Sequence, residues 1–533
     1  MSPRQETQDY SGRRVYTAKP ITLARSVGYG VVDLMGGGWN TIVSGLMLYF
    51  FTTYGHVTAI QAGSILFIAR IVDAVASLFI GPLTDNLYRT HVGRKYGRRH
   101  FLLAIGCPLL LIVFPLLWVS ARGYWYYLFV YLAVEIIIAI ILIPWETLPT
   151  EMTDNYTKRT KLSSTRMFLS ATGTFLVFYI PAQIKATHNP NAFFLTGLIC
   201  SVMFAAAIAV AYFTTWERKL TPEFVAELDA RPRLGVGEML KKTFVDFGTT
   251  FTNASFVKHL VVYLFSFTGK DVFSTALTFF VVYAIEGGET FGLTLQALSI
   301  IGLPVTIAAG FLMIRKGPRF LWATSFSIII ACLLAFGAIY LLKPASMIAL
   351  LVIVGLAYQC GRAILEFTPW NVYPFIPDVD YIMSREHRAG IYAAVMTFGR
   401  KSTGAVATLL VAWLLSLGGF LQPGTAGGVK QDPSCTTACP LVQTATANHT
   451  IAAVTVFLPM VLIAIALITS RFIRLDAHTH AVLREEIARL EDGGSKADVT
   501  AGTRQVVEQL TGHPYENLWP DLVEDAPKAP TTA

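Results

Sequence analysis

Charged side chains are scarce in this sequence. Asp, Glu, Lys and Arg make up 14% of its 533 residues, where a soluble domain carries roughly 25%. That shortage excludes an ordinary water-soluble protein, which needs a polar coat. Cysteine is sparse too. Of the six, Cys107, Cys200, Cys332 and Cys360 lie in apolar runs and read as small core residues. H-E-x-x-H, G-x-S-x-G and P-loop spacings are absent, which removes the commonest signatures of a metal, nucleophile or phosphate site.

What the sequence does have is apolar length. It is 54% hydrophobic, and runs of about 20 residues recur from residue 27 to 470, each long enough to cross ~30 Å of hydrocarbon. The first run far exceeds the core of a signal peptide and is read as a span. The expectation is an all-α polytopic membrane protein with twelve spans near 27–52, 58–83, 101–119, 124–147, 166–185, 192–214, 256–285, 291–314, 319–342, 346–373, 390–418 and 449–471. WERKLTPEFVAELDARPRLGVGEMLKKTF, between spans six and seven, splits the chain into two sets of six. The expected domains are an N-terminal segment 1–26, a bundle 27–214, a central loop 215–255, a bundle 256–471 and a tail 472–533. The tail reads as a charged helix, then disorder.

Basic residues then set orientation. NLYRTHVGRKYGRR, TDNYTKRTKLSSTR, the central segment, RKGPR and DVDYIMSREHRAG occupy the even-numbered connections, whereas the odd ones hold only Arg122, Lys185, Lys343 and Lys430. The positive-inside rule puts both termini in the cytoplasm. It also explains the net charge of +8 without nucleic acid. Cys435 and Cys439, in DPSCTTACP, then lie outside, where a local disulfide is able to form. Asn448-His449-Thr450 abuts the last span and reads as a chance sequon. A basic turn follows the second span of each half, GRKYGRR and RKGPR. Two related sixes of this kind are the pattern of a major-facilitator transporter, with substrate bound between the halves.

An ionisable residue at mid-membrane costs about 3 kcal/mol on insertion scales and is expected to face a cavity or partner. Asp73, in ARIVDAVASLFIGPLTDN, lies twelve residues before Asp85, roughly 18 Å from the span's end. Arg70, one turn earlier, is able to pair with it. Asp33 sits in the glycine-rich SVGYGVVDLMGGGWN and Lys401 in AAVMTFGRKSTGAVATLL. Lys270 with Asp271, and Arg362 with Glu366, serve equally well as ion pairs between helices or as site residues. Glu135, deep in VEIIIAIILIP, has no partner that the sequence identifies.

GYGVVDLM, ARIVDAVASLFIGPLTDN with GRKYGRR, IPWETLPTEMTDNYTKRTKLSSTRMF and FIPDVDYIMSREHRAGIYAAVMTFGRKSTGA together resemble the glycoside–pentoside–hexuronide:cation symporters, the melibiose permease group of the major facilitator superfamily. The resemblance implies that Asp33 bonds sugar hydroxyls, that Asp73 binds the coupling cation with Lys401 beside it, and that Arg166 lies by the sugar. Ser77 stands where the melibiose permease has a second helix-two carboxylate. The site thus loses a charge, which favours a proton without excluding sodium at Asp73. Leu142 replaces a family Asp, and Trp145, one position out of register, is expected to stack on the sugar beside Glu146.

The expected function is cation-coupled symport of a sugar or glycoside by alternating access, with no enzymatic activity and no cofactor beyond the proton or sodium. The partners are the small-molecule substrate and the lipid bilayer. The site is a cell membrane (inner membrane if Gram-negative), and the working unit a monomer. Arg94, Arg98 and Arg99 are expected to latch the halves at the cytoplasmic face. The same fold carrying an organic anion or lysolipid is the alternative, and a membrane-embedded enzyme or sensor the remote one.

Overall fold

In a computed structural model of the chain, the structure describes residues 20–153, 156–217, 247–386, 388–423, 428–431 and 440–520, with short pieces at 7–8, 14–15, 241, 245 and 425. Cys435, Cys439, residues 218–240 of the central loop and the tail beyond 520 lie outside the described residues. Almost all the rest is helix, apart from a short antiparallel pair, β1 (Thr7–Gln8) and β2 (Arg14–Val15), and an isolated bridge between Lys430 and Leu441.

The first rod is composite. α1 (Leu23–Gly30) meets α2 (Asp33–Ile42) at an irregular turn, and a π-helical turn at Val43–Met47 leads into α3 (Leu48–Thr53). Then come α4 (Ala59–Asn86), α5 (His91–Tyr96), α6 (His100–Leu116), α7 (Tyr124–Met152), α8 (Tyr156–Ala186) and α9 (Ala192–Thr214). The second set is α10 (Ala254–Phe279) with a π turn at Phe280–Ala284, α11 (Glu289–Ala297), α12 (Gly302–Leu342), α13 (Met347–Val372), α14 (Ile376–Ser384), α15 (Ala389–Leu417) and α16 (Ala445–Ser470). α12 reverses at Gly317, whose φ of +74° suits glycine alone; Pro318 then starts the next run with its φ already set.

Among the described residues, eight helices are long and apolar enough to cross a membrane. Their outer faces leave Phe213, Ile314 and Leu342 more than three-quarters exposed. In water such surface would cost about 25 cal/mol per Å²; against lipid it costs nothing. This is a multi-pass membrane protein.

The halves meet where α4 packs on α15, α8 on α11 and the first π turn on α10. A π turn widens the helix and frees carbonyls. Ser44 and Gly45 use theirs to accept the hydroxyls of Thr275 (2.5 Å) and Thr278 (3.2 Å) from the other half.

Two further helices follow in the tail. α17 (Ala477–Glu491) and α18 (Ala501–Thr511) bury Leu483, Ile487, Leu490, Val507 and Leu510 against the C-terminal helices. Ser255 donates to the Leu510 carbonyl at 2.5 Å, and the Trp519 N–H to that of Ile382 at 2.8 Å. The stripe at 483, 487 and 490 has the spacing of a helix with one apolar face, so this stretch is docked and folded.

Candidate functional site

The first cluster is built on α2, α7 and α8. Asp33 opens α2, just after the irregular turn. Glycines let α8 approach: a Cβ on Gly37 would lie 2.5 Å from the Ser170 carbonyl oxygen, and one on Gly173 still closer to that of Leu34. Across this crossing Arg166 spreads its guanidinium, giving Nε to Asp33 Oδ2 at 2.9 Å and Nη2 to Glu146 Oε1 at 2.6 Å. The planar fork of Arg suits two carboxylates at once. Asp33 is 6% exposed, whereas the side chains of Arg166 and Glu146 are 31% and 48% exposed.

Trp145 differs from expectation. It is fully buried, stacked on Tyr29 (5.0 Å between centroids, 22°) with the Arg166 guanidinium 4.6 Å from its ring, and its Nε1 donates to the Tyr29 carbonyl at 2.9 Å. In this conformation the indole supports Arg166 and is not an open platform. Arg166 and Glu146 are the groups left accessible to a substrate.

The second cluster joins the halves. Lys401 on α15 places Nζ 2.7 Å from Asp73 Oδ2 and donates to Ser77 Oγ at 3.1 Å. Ser77 in turn donates to the Asp73 carbonyl at 2.7 Å. Arg70 stands 3.9 Å from Asp73 and 3.7 Å from Glu135, and Trp39 donates to Glu135 Oε2 at 3.1 Å. Glu135 thus has partners on two other helices.

A third cluster lies in the C-terminal half. Asp271 pairs with Arg400 at 2.5 Å and with Lys270 at 3.4 Å, and Glu366 accepts from Lys270 at 3.0 Å and Arg362 at 3.1 Å. Arg400, neighbour of Lys401, was not anticipated, although the RK pair in FGRKST is its visible signal. Lys185 also proves more than a loop charge. It lies 2.5 Å from Glu289 of the other half, which also accepts from Tyr49 and from Tyr54 (2.6 and 2.8 Å). These bonds tie the halves at the end of the bundle that carries residues 54–58.

At the opposite end lies the basic turn that carries Arg94, Arg98 and Arg99. Arg98 and Arg99 both pair with Glu151 of the same half, and Arg94 donates Nε to the Tyr88 carbonyl at 2.9 Å. Glu217 caps α6, accepting the N–H groups of Arg98, Arg99 and His100 at 3.0, 2.9 and 2.5 Å, and contacts His100 Nδ1 at 2.8 Å. Burial would raise the Glu217 carboxyl, but these hydrogen bonds, chiefly from His100, hold it below the usual range. A depressed carboxyl stabilises above its ordinary value near ~4.3 and loses that contribution as pH falls through the lowered one. Glu217→Gln should cost roughly 1–3 kcal/mol at pH 7, seen as a lower apparent Tm in detergent. The gap to wild type should narrow as pH falls below the ordinary carboxylate range; a gap that stays constant through acid would contradict a charge-based cap.

Paired charges buried between two packed helical halves, some of them accessible, define a membrane transporter and no catalytic centre. The family model for MFS/sugar transport proteins matches residues 28–477, and the chain belongs to that family, within it to the glycoside–pentoside–hexuronide:cation symporters. It is 22% identical to an uncharacterised symporter of Synechocystis over 78% of this chain and 90% of the relative. It is 23% identical to a glucuronide carrier protein homolog of Escherichia coli (74% and 84% covered) and 22% to an isoprimeverose transporter of Lactiplantibacillus pentosus (54% and 61%). The fold matches the E. coli xylose transporter in a partially occluded inward-open state, with TM-score 0.51 and 14% identity, over 85% of this chain and 96% of that one. It is a major-facilitator transporter.

Proposed function

We propose that this transporter moves a sugar or glycoside by symport with a cation, by alternating access. It crosses the cell membrane twelve times with both termini in the cytoplasm, and one chain suffices because it carries both halves. The end closed by Lys185 and Glu289 is then extracellular, and the accessible Arg166 and Glu146 meet substrate from inside. Arg166 and Asp33 bond its hydroxyls.

One observation carries the coupling: Asp73 of one half is paired at 2.7 Å with Lys401 of the other. Neutralising Asp73 removes the attraction, so loading the ion changes how firmly the halves hold at mid-membrane. A proton fits this carboxylate better than sodium. Its side-chain neighbours are two cations and one hydroxyl, and no group of three or more His, Cys, Asp or Glu among the described residues could hold a metal. Sodium would have to displace the Lys401 ammonium first.

Thermal unfolding of the detergent-solubilised protein with a panel of glycosides, at pH 5.5 and 7.5 with and without sodium, tests this. Stabilisation follows RT ln(1 + [L]/Kd) and should be larger at the acidic pH. Equal stabilisation under all four conditions would contradict coupling.

A further inference from the structure

Glu135 is among the buried acids that the coupling mechanism leaves unused. Glu135 is 2% exposed on α7, deep in an apolar run where an ionisable group is costly unless it works. Its surroundings are ordered. Oε2 accepts from Trp39 Nε1 at 3.1 Å, while Oε1 has no hydrogen-bond partner and faces Arg70 Nη1 at 3.7 Å. The same nitrogen lies 3.9 Å from Asp73 Oδ2. Arg70 is thus held between two carboxylates at nearly equal ion-pair distances and hydrogen-bonded to neither. Trp39 lies on α2, which begins at Asp33. A continuous path therefore runs from Lys401 and Asp73 through Arg70 and Glu135 to the helix that carries the substrate-binding aspartate.

We propose that Glu135 is a positioning residue that links the coupling-ion site to the substrate site, by sharing Arg70 with Asp73 and gripping Trp39 on the Asp33 helix. The inference rests on the reading of Asp73 as the coupling carboxylate. While Asp73 is ionised, Arg70 is divided between the two acids. When Asp73 takes a proton from solution onto its carboxylate, Arg70 has one ionised partner left and moves onto Glu135. Glu135 then re-aims its bond to Trp39 and with it the first turns of α2. Other groups bearing on Arg70 are Tyr131 of α7, Asp271 of α10 and Arg400 of α15. Asp271 has its own cations in Arg400 and Lys270, which leaves Glu135 as the acid that competes with Asp73 for Arg70.

The test is the pH profile of glycoside uptake by the full chain in proteoliposomes. Glu135→Gln keeps the size of the side chain and an acceptor for Trp39 but gives Arg70 wholly to Asp73, which favours ionised Asp73. Half-maximal uptake should move toward acid by about one pH unit or more, and Glu135→Asp should return it part of the way. A merely structural role would lower uptake equally at every pH. Trp39→Phe should leave the midpoint in place while the ratio of glycoside affinities at pH 5.5 and 7.5 collapses toward one; it carries the test if Glu135→Gln folds poorly. Superimposable wild-type and Glu135→Gln profiles, or an unchanged affinity ratio in Trp39→Phe, would overturn the inference. Asp73→Asn in parallel separates the two readings. Full accumulation by that variant defeats the coupling site itself, whereas its failure beside an unshifted Glu135→Gln defeats only the role of Glu135.

Discussion

Asp73→Asn should abolish concentrative uptake while leaving exchange. Asparagine keeps the volume of the side chain and bonds to Ser77, so α4 and α15 stay packed, but the ion pair to Lys401 at 2.7 Å disappears. One charge moved across about 100 mV supplies about 2.3 kcal/mol, which is about a fifty-fold accumulation at 1.36 kcal/mol per tenfold. The variant should bring that ratio to about one. Counterflow, in which internal substrate exchanges for external label without a net ion, should continue. Accumulation equal to wild type would remove Asp73 from the mechanism. Loss of both uptake and counterflow would point to misfolding, and the Lys401→Ala/Asp73→Asn double variant, which leaves neither charge alone, checks this.

The second large effect is at Arg166. Arg166→Ala leaves Asp33, 6% exposed, without its cation. Stranding a buried charge costs about 3–5 kcal/mol of stability; separately, losing the guanidinium's hydrogen bonds to substrate, about 1.5–3 kcal/mol each, should weaken glycoside binding at least about tenfold. Arg166→Lys keeps the charge but cannot span Asp33 and Glu146 together, and should fall between. The Asp33→Asn/Arg166→Ala variant separates stability from recognition. With no stranded charge it should recover thermal stability, yet binding should remain lost. Recovery of binding together with stability would mean that Arg166 only neutralises Asp33.

Which residues could be read from the sequence follows from what depth and composition determine. Asp73 and Lys401 stood out because a charge far from both ends of an apolar run must be satisfied, and the structure pairs them. Asp33 stood out for the same reason, Arg166 came from the family resemblance, and the two also meet. Partner choice was harder. A helix apolar on all sides carries no stripe to fix its rotation, so nothing local announced that Glu135 would face Arg70 and Trp39, or that Asp271 would meet Arg400. Trp145 was read as an open aromatic face because its neighbour Tyr29, on another helix, was invisible to a linear reading. The basic turn Arg94–Arg99 was read for its charge, and the cap that Glu217 places on the helix after it could not be read from that charge. The tail's first helix was legible in RFIRLDAHTHAVLREEIARLEDGG, whereas the helices that it packs against are named by no linear reading.

Uptake of radiolabelled glycosides by cells expressing the chain, with an imposed inward proton gradient and with that gradient collapsed by a protonophore, tests the central claim most directly. At least one glycoside should accumulate above equilibrium under the gradient and fall to equilibrium without it. Accumulation of an organic anion or lysolipid, with no glycoside taken up under any proton or sodium gradient, would contradict the account.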